Sequence, residues 1–577
     1  FVNSYYRNSG VDSTFSNSVL ALRGSSATMT NSSGTLVTVG LSVPRIGHHV
    51  YNGSTWVNEG ILHESEARTN YVQDSHIQNT NNGMGTFIPT RAVLTQNNYV
   101  SPDGTANATK FAGDGSNNSH KANIYVQGSG TSPGLTDTAT FSVYLKQGTY
   151  RYAQVEVMDN AANTNGTINR FFINIDLQTG TIIGTLEVGS PTAPLSTIEN
   201  VGNGWYRASA TLTKKGDNVR TDGGVQFGTA GAANINPVMN AGANDYFYMW
   251  GAQMEVGATP SSLIPTAGGV ATREPDLLRI AAAKVPSVAT APFAEVSGTE
   301  ILTNSGFDTD TVWYKEAGWS IANGVLTKAP GSASNGVWEP VAGGSAVTAG
   351  KMYRLDVDVT VNNAGGTIKA QFWGDGGGDT DPNVTSSTGV GYRGTPSAGT
   401  YTWYIIATTT NRSKIGIFSA GGWNGSITSI SVKEVVPPAV SIQMSGTMTY
   451  ADEDVFGSTN HDGAGQATFY RRTAGPIDYM FGGIQTGTNR TGQFRANQRI
   501  TGAAGASVVN GSSTAYSPGI NVPFKIATRH GAPFINGAVE GTALTADLTP
   551  AALPDLSSAN LELGYDYMGT ISKFVMW

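Results

Sequence analysis

The chain has 577 residues, a formal net charge of −7 and only 13% charged residues, with 73 glycines and no cysteine. The missing thiols exclude disulfides, thiolate zinc sites, iron–sulfur clusters and a cysteine nucleophile, and a charge content about half the usual share excludes the surface of an ordinary helix-rich enzyme. Hydrophobic residues at 39% can still fill several modest cores, so the solvent faces must be built from Ser, Thr, Asn and Gly, as in a turn-rich all-β protein.

At roughly 150 residues per domain the chain should hold about three to five domains. It opens on Phe1, Val2 and Asn3, which are neither a start methionine nor a signal peptide, so we expect it to begin inside a longer polypeptide. Residues 1–70 lack long apolar runs and read as a β-rich connector or attachment region. Residues 71–274 form the largest block, where Phe171, Ile173, Ile175 and Leu177 alternate with polar neighbours, as do Tyr246, Tyr248, Trp250, Ala252 and Met254. Residues 275–296, punctuated by Pro275, Pro286 and Pro292, read as a linker whose stretch Asp276 to Lys284 is the best helix candidate. In 297–436 the same alternation runs through Tyr353, Leu355, Val357 and Val359, and through Tyr401, Trp403 and Ile405. Residues 437–577 form the last block, and the abrupt stop at Trp577 suggests further residues beyond it.

A period of two with Gly/Asn/Ser turns predicts antiparallel β-sandwiches in tandem. The two middle blocks carry an internal repeat: the run from Phe141 to Gln147 corresponds to Tyr353–Val359, and each block closes on a strand with a late acidic residue, Glu255 or Glu434. The longest apolar stretch, Ile280 to Val296, is broken by Lys284 and two prolines, so it predicts no membrane span. No Lys/Arg cluster offers the footprint that nucleic acid needs.

Aromatic residues beside glycines are candidates for sugar stacking, because ring faces pack against the C–H face of a pyranose. Trp313, Tyr314, Trp373 and Trp423 are selected; glycines around Trp373 and Trp423 suggest exposed loop tips. Trp205, Trp250 and Trp403 lie inside alternating strands and are expected in cores. Asp375, Asp379 and Asp381 offer three carboxylates on a Gly-rich loop, a candidate for structural calcium without the EF-hand spacing; a solvated acidic turn is the plainer reading. No other cofactor is expected.

Catalytic patterns are scarce. Gly130-Thr131-Ser132-Pro133-Gly134 matches the nucleophile elbow nominally but has Pro after Ser and no helix to follow. His48 and His49 are adjacent, so on a strand they point to opposite faces, and His530 is expected in a turn. Glycoside hydrolysis needs two carboxylates across the scissile bond, and Asp452-Glu453-Asp454 has the wrong spacing for one. No catalytic residue is assigned, and the chain is expected not to be an enzyme.

Several motifs resemble bacteriophage virion proteins of the tail-fibre or appendage kind. Val43-Pro44-Arg45 and the run from Glu64 to Asn70 resemble the connector before carbohydrate-binding-like modules. The run from Trp250 to Glu255, with Ile264-Pro265-Thr266 and Thr272-Arg273, is the most specific match. Block 297–436 resembles a second jelly-roll module, through the run from Leu302 to Asp308 and that from Ile430 to Val435. The last block resembles a concanavalin A-like lectin/glucanase domain, through Phe534-Ile535-Asn536-Gly537 and the run from Met568 to Phe574. The resemblance implies a structural protein on the virion surface that attaches to host-cell glycan without catalysis. It also implies other virion proteins as partners and a homo-oligomer, trimeric by analogy with fibres, with no nucleic acid and no membrane insertion. The alternatives are a structural protein decorating capsid or tail without binding sugar, and a glycan-degrading enzyme.

Overall fold

The computed structural model describes residues 6–8, 11–78, 86–126, 138–159, 168–213, 221–285, 298–340, 347–348, 351–362, 366–374, 377–379, 393–394, 398–407, 414–435, 439–449, 466–487, 490–500, 507–510, 521–531, 535–547, 550 and 553–576. Among these, strand dominates and every strand pair is antiparallel, as the alternation predicts. The only helical pieces described are one turn at Phe15–Ser18, capped by Thr14, and a 3-10 turn at Ala282–Lys284.

The first sandwich stacks two six-stranded sheets. The central strands of one are, in spatial order, Ala108–Gly113, Tyr246–Val256, Thr138–Gln147 and Trp205–Thr213. Those of the other are Lys121–Val126, Thr221–Phe227, Tyr152–Asp159 and Asn169–Asp176. The earliest and latest of these central strands pair in each sheet, Ala108–Gly113 with Tyr246–Val256 and Lys121–Val126 with Thr221–Phe227, while the chain crosses between sheets, as in a jelly roll. Phe141, Val143 and Leu145 face Val155, Val157, Ile173 and Val225 across a fully buried core.

The second sandwich repeats this topology. Val325–Lys328, Gly425–Val435, Met352–Asn362 and Gly399–Ile406 lie side by side, opposite Asn335–Pro340, Lys414–Ala420 and Thr367–Gly374. The strand Met352–Asn362 therefore has the same two neighbours in kind as Thr138–Gln147. The internal repeat is a shared strand order.

The third sandwich changes the block boundaries. Its two seven-stranded sheets are not made by residues 437–577 alone. Arg45–Tyr51 and Trp56–Glu64 extend the sheet of Ala439–Met448, with Ile61 opposite Ile571 and His63 opposite Gly569. Leu20–Leu22 and Leu277–Ile280 extend the facing sheet through Leu561–Leu563. The supposed connector and part of the supposed linker are thus strands of the last sandwich. The helix expected over Asp276 to Lys284 is replaced by that strand and the 3-10 turn, because Leu278 gains a buried place against the core of Ile61, Phe469 and Leu563.

A buried charge cluster ties these distant segments together. Glu64 accepts from the Ser262 amide at 2.7 Å and hydroxyl at 2.6 Å, and pairs with Arg45 at 2.6 Å and Arg273 at 3.2 Å. Asp276 accepts from Arg23 at 2.8 Å, from Arg45, and from the Glu64 amide at 3.0 Å. Burial alone would raise both carboxyls, but Arg273 and Arg45 hold Glu64 well below the usual carboxylate range, and Arg45 does the same for Asp276. Next to this cluster Asn70 accepts from the Val72 and Met254 amides and donates to the Ala252 and Ile264 carbonyls.

Removing one member of a buried ion cluster leaves the others unpaired and costs about 3–5 kcal/mol. Glu64→Gln should therefore lower the urea midpoint sharply at pH 7. Because the native carboxyls titrate below their unfolded values of roughly 4, the stabilisation is complete above that range and declines as pH falls through it toward the depressed native values. The midpoint gap between wild type and Glu64→Gln should thus narrow at pH 3. Residues 437–577 expressed alone, lacking four strands of their sheets, should show no cooperative thermal transition by circular dichroism.

Candidate functional site

The second sandwich places the selected aromatic residues in two unlike environments. Trp313 is 3% exposed and Trp423 1% exposed, both inside the core. Trp313 donates Nε1–H to the Asn304 carbonyl at 2.8 Å, and Trp423 stacks on Trp319 with centroids 5.9 Å apart. Neither ring face is open to a sugar, which corrects the expectation of accessible sites. Glycines near Trp423 mark close packing, not a loop tip: a Cβ on Gly366 would lie 2.3 Å from the Trp423 amide nitrogen. Trp205, Trp250 and Trp403 are buried as expected, although Trp205 and Trp250 pack outside the jelly-roll core, in a small cluster with Tyr144 and Leu263.

Tyr314 is 53% exposed. It lies on the short edge strand Tyr314–Lys315, opposite Trp338 of Asn335–Pro340. In that strand Val337 is buried in the core, so parity turns Trp338 to the outer face, where it is half-buried. The Tyr314 and Trp338 rings stack at 4.2 Å with 26° between planes, and the Lys414 ammonium sits 4.9 Å from the Trp338 centroid. One step further across the sheet is Gly416, opposite both Trp338 and Gln371. A Cβ there would come within 2.0 Å of the Val337 carbonyl oxygen, so the floor beside the aromatic pair carries no side chain. Gln371 and Lys369 follow on the same face, and burial lowers the Lys369 ammonium pKa. The Gln371 side-chain amide makes no hydrogen bond among the described residues.

The result is an outward aromatic step beside a flat floor with an amide and an ammonium at hand. Trp338 backs the inner face of Tyr314 and leaves its outer side to solvent. A ring already held this way loses little rotational freedom when a ligand stacks on it. Trp338 escaped the sequence reading because it is flanked by a Gly-Val pair and a Glu; the usable signal was strand parity relative to Val337.

Trp373 belongs to Thr367–Gly374, which pairs with Lys414–Ala420; its backbone lies opposite Lys414, but its side chain lies outside the described residues. Asp375 and Asp381 also lie outside them, and Asp379 is described only as the end of Gly377–Asp379. Gly130–Gly134 and Asp452–Asp454 are likewise outside. Among the described residues no group of three His, Asp or Glu side chains could hold a metal ion. His48 accepts from the Thr30 amide, and His49 lies 2.7 Å from the Gly47 carbonyl, across a register shift in their strand. His530 is not in a turn but in the strand Pro523–Gly531, fully buried, 2.7 Å from the Tyr470 hydroxyl. Burial lowers its pKa to about 3, so it stays neutral.

No protein-family model matches the chain, and no curated protein does. Among solved structures it is similar to the N-terminal tandem CBM22 domain of Xyn10C from Paenibacillus barcinonensis, at 8% identity and a TM-score of 0.20, over 65% of this chain and 99% of that one. It is also similar to domains LG4-5 of the mouse laminin alpha1 chain, at 9% identity and a TM-score of 0.17, over 80% of this chain and 86% of that one. At such scores neither likeness carries an argument about function.

Two substitutions separate core from platform. Trp423→Ala removes a fully buried ring at about 3–5 kcal/mol, and should lower the transition of the second sandwich by about 10 °C in calorimetry. Tyr314→Ala on the open face should leave that transition within about 2 °C.

Proposed function

We propose that the chain is a non-catalytic, glycan-binding structural protein of a phage-type virion, a tail fibre or appendage, and that it attaches the particle to host-surface carbohydrate. The single observation that carries the binding part is the Tyr314–Trp338 step beside the bare Gly416 floor. A pyranose laid on the outer face of Tyr314 would present its hydroxyls toward Lys414 and Gln371. Stacking on one aromatic side chain contributes about 0.5–1.5 kcal/mol beyond area burial, so a single site is weak. Several copies on one particle would raise the effective affinity by orders of magnitude without new contacts.

The virion assignment rests on the motifs quoted from the sequence. Arg45, Glu64, Asn70, Gln253, Glu255 and Arg273 come from those motifs and lie in or beside the polar network that joins the first and third sandwiches. In this reading they serve rigidity, which suits a load-bearing appendage, and the binding work falls to the second sandwich.

The test is retention on immobilised envelope polysaccharide, with the chain presented multivalently on beads. Wild-type beads should be retained, and Tyr314→Ala beads should lose most retention while the protein melts normally. No reducing ends should be released during the incubation. Failure of the wild type to bind at high valency would overturn the glycan reading, and release of reducing sugar would restore the enzyme alternative.

A further inference from the structure

A second concave site lies between the first and third sandwiches, far in sequence from the aromatic step. It is a cavity of about 250 Å³, just under the roughly 300–1,000 Å³ of typical small-molecule pockets. One wall is the outer face of the first jelly roll, where register sets Glu199 opposite Arg207, Arg207 opposite Tyr144, and Tyr144 opposite Trp250. The opposite wall is Trp56–Glu64 with Glu59, beside His48. The hairpin of Ala27–Thr30 and Leu36–Val39 closes one side, held to the first sandwich by the Thr28 hydroxyl on the Leu263 carbonyl at 2.7 Å and by the Leu36 amide on the Pro102 carbonyl at 2.9 Å. These walls are fixed by hydrogen bonds, so the cavity is a preformed feature.

Its polar lining is under-satisfied. Tyr144 is only 5% exposed, yet its hydroxyl makes no hydrogen bond among the described residues. Arg207 lies over the Tyr144 ring at 5.3 Å and donates to the Ser261 carbonyl and the Ser142 hydroxyl, which leaves its Nε without a partner. Glu59 has no ion-pair or hydrogen-bond partner among the described residues, and desolvation raises its pKa. Glu199 is reached by water at the mouth but ringed by protein; desolvation raises its pKa against the pull of Arg207. His48 is neutral at pH 7, since burial and then Arg45 lower its pKa to about 4. Glu64, also on the wall, is already matched by Arg45 and Arg273. Glu59 and Glu199 against Arg207 leave one negative charge uncompensated. Threonine and serine hydroxyls supply the rest of the polar surface.

We propose that this cavity is a ligand site for a small polyhydroxylated amine, of the size of a single unacetylated amino-sugar ring. The ammonium would lie between Glu59 and Glu199, and a ring hydroxyl would pair with Tyr144. A half-buried carboxylate with no partner among the described residues, beside a second one at the mouth, is a feature of sites that take a charged ligand.

Isothermal titration of the full chain with glucosamine, and with glucose as the neutral control, tests this. Glucosamine should bind saturably and glucose about tenfold more weakly or worse, the difference expected for losing a charged hydrogen bond. Glu59→Gln and Glu199→Gln should each weaken glucosamine about tenfold, and Tyr144→Phe about threefold. Melting temperatures of the two Glu variants should be unchanged or higher, which shows that lost binding is not lost folding. Tyr314→Ala should leave glucosamine binding intact, so this site can fail or stand independently of the envelope-glycan reading. No saturable heat with glucosamine, equal affinity for glucose, or unweakened binding by the folded double Glu variant would each overturn the proposal.

Discussion

The architecture depends on one carboxylate. Glu64 ends the strand that completes the third sandwich, and its oxygens receive Arg45 from the neighbouring strand, Arg273 from the exit of the first sandwich and Ser262 from the loop before it. In a medium stripped of water such a group is tolerable only if every lone pair is used. That requirement fixes where four segments, separated by up to about two hundred residues, must meet. Asp276 extends the constraint to Arg23 and so anchors the N-terminal segment as well. The chain carries few charges overall, and Arg23, Arg45, Glu64, Arg273 and Asp276 are the ones committed here.

The network also decides what the middle of the molecule can do. By pinning the N-terminal hairpin and the Trp56–Glu64 strand against the outer sheet of the first jelly roll, it creates a walled cleft where a lone jelly roll would offer only an open face. The Glu199–Arg207–Tyr144–Trp250 row would otherwise be a solvated stripe across a sheet. The second sandwich has no such cover described over its outer sheet, and there the aromatic step remains open. The same topology therefore presents two different surfaces, one enclosed and charged, one flat and aromatic.

Much of the fold was legible in the sequence, for a simple reason. Side chains alternate faces along a strand, so Tyr353, Leu355, Val357 and Val359 announce a half-buried strand without reference to anything else. Short apolar segments such as Leu277–Ile280 are different, because four residues carry no decisive period; there the prolines around them suggested a linker, and pairing with Leu561–Leu563 decided otherwise. Of the aromatic candidates, Tyr314 has the exposed ring that was expected, whereas Trp313 and Trp423 are buried. Glycine beside an aromatic residue fits both an exposed turn and a close packing contact, and sequence alone cannot separate them. Trp338 could have been found only by counting parity from Val337.

Composition and period settled the class: an all-β chain with polar neutral surfaces and no thiol chemistry. These are properties of residues and their immediate neighbours, and they survive any arrangement of the sandwiches. Which strands complete which sheet, which tryptophans are buried, and which carboxylates line one cavity are properties of long-range pairing. Glu59 and Glu199 are 140 positions apart in sequence, and nothing local in either segment points to the other. Only tertiary structure brings them to one cavity, because the buried ion cluster around Glu64, at the cavity wall, holds the two walls in place.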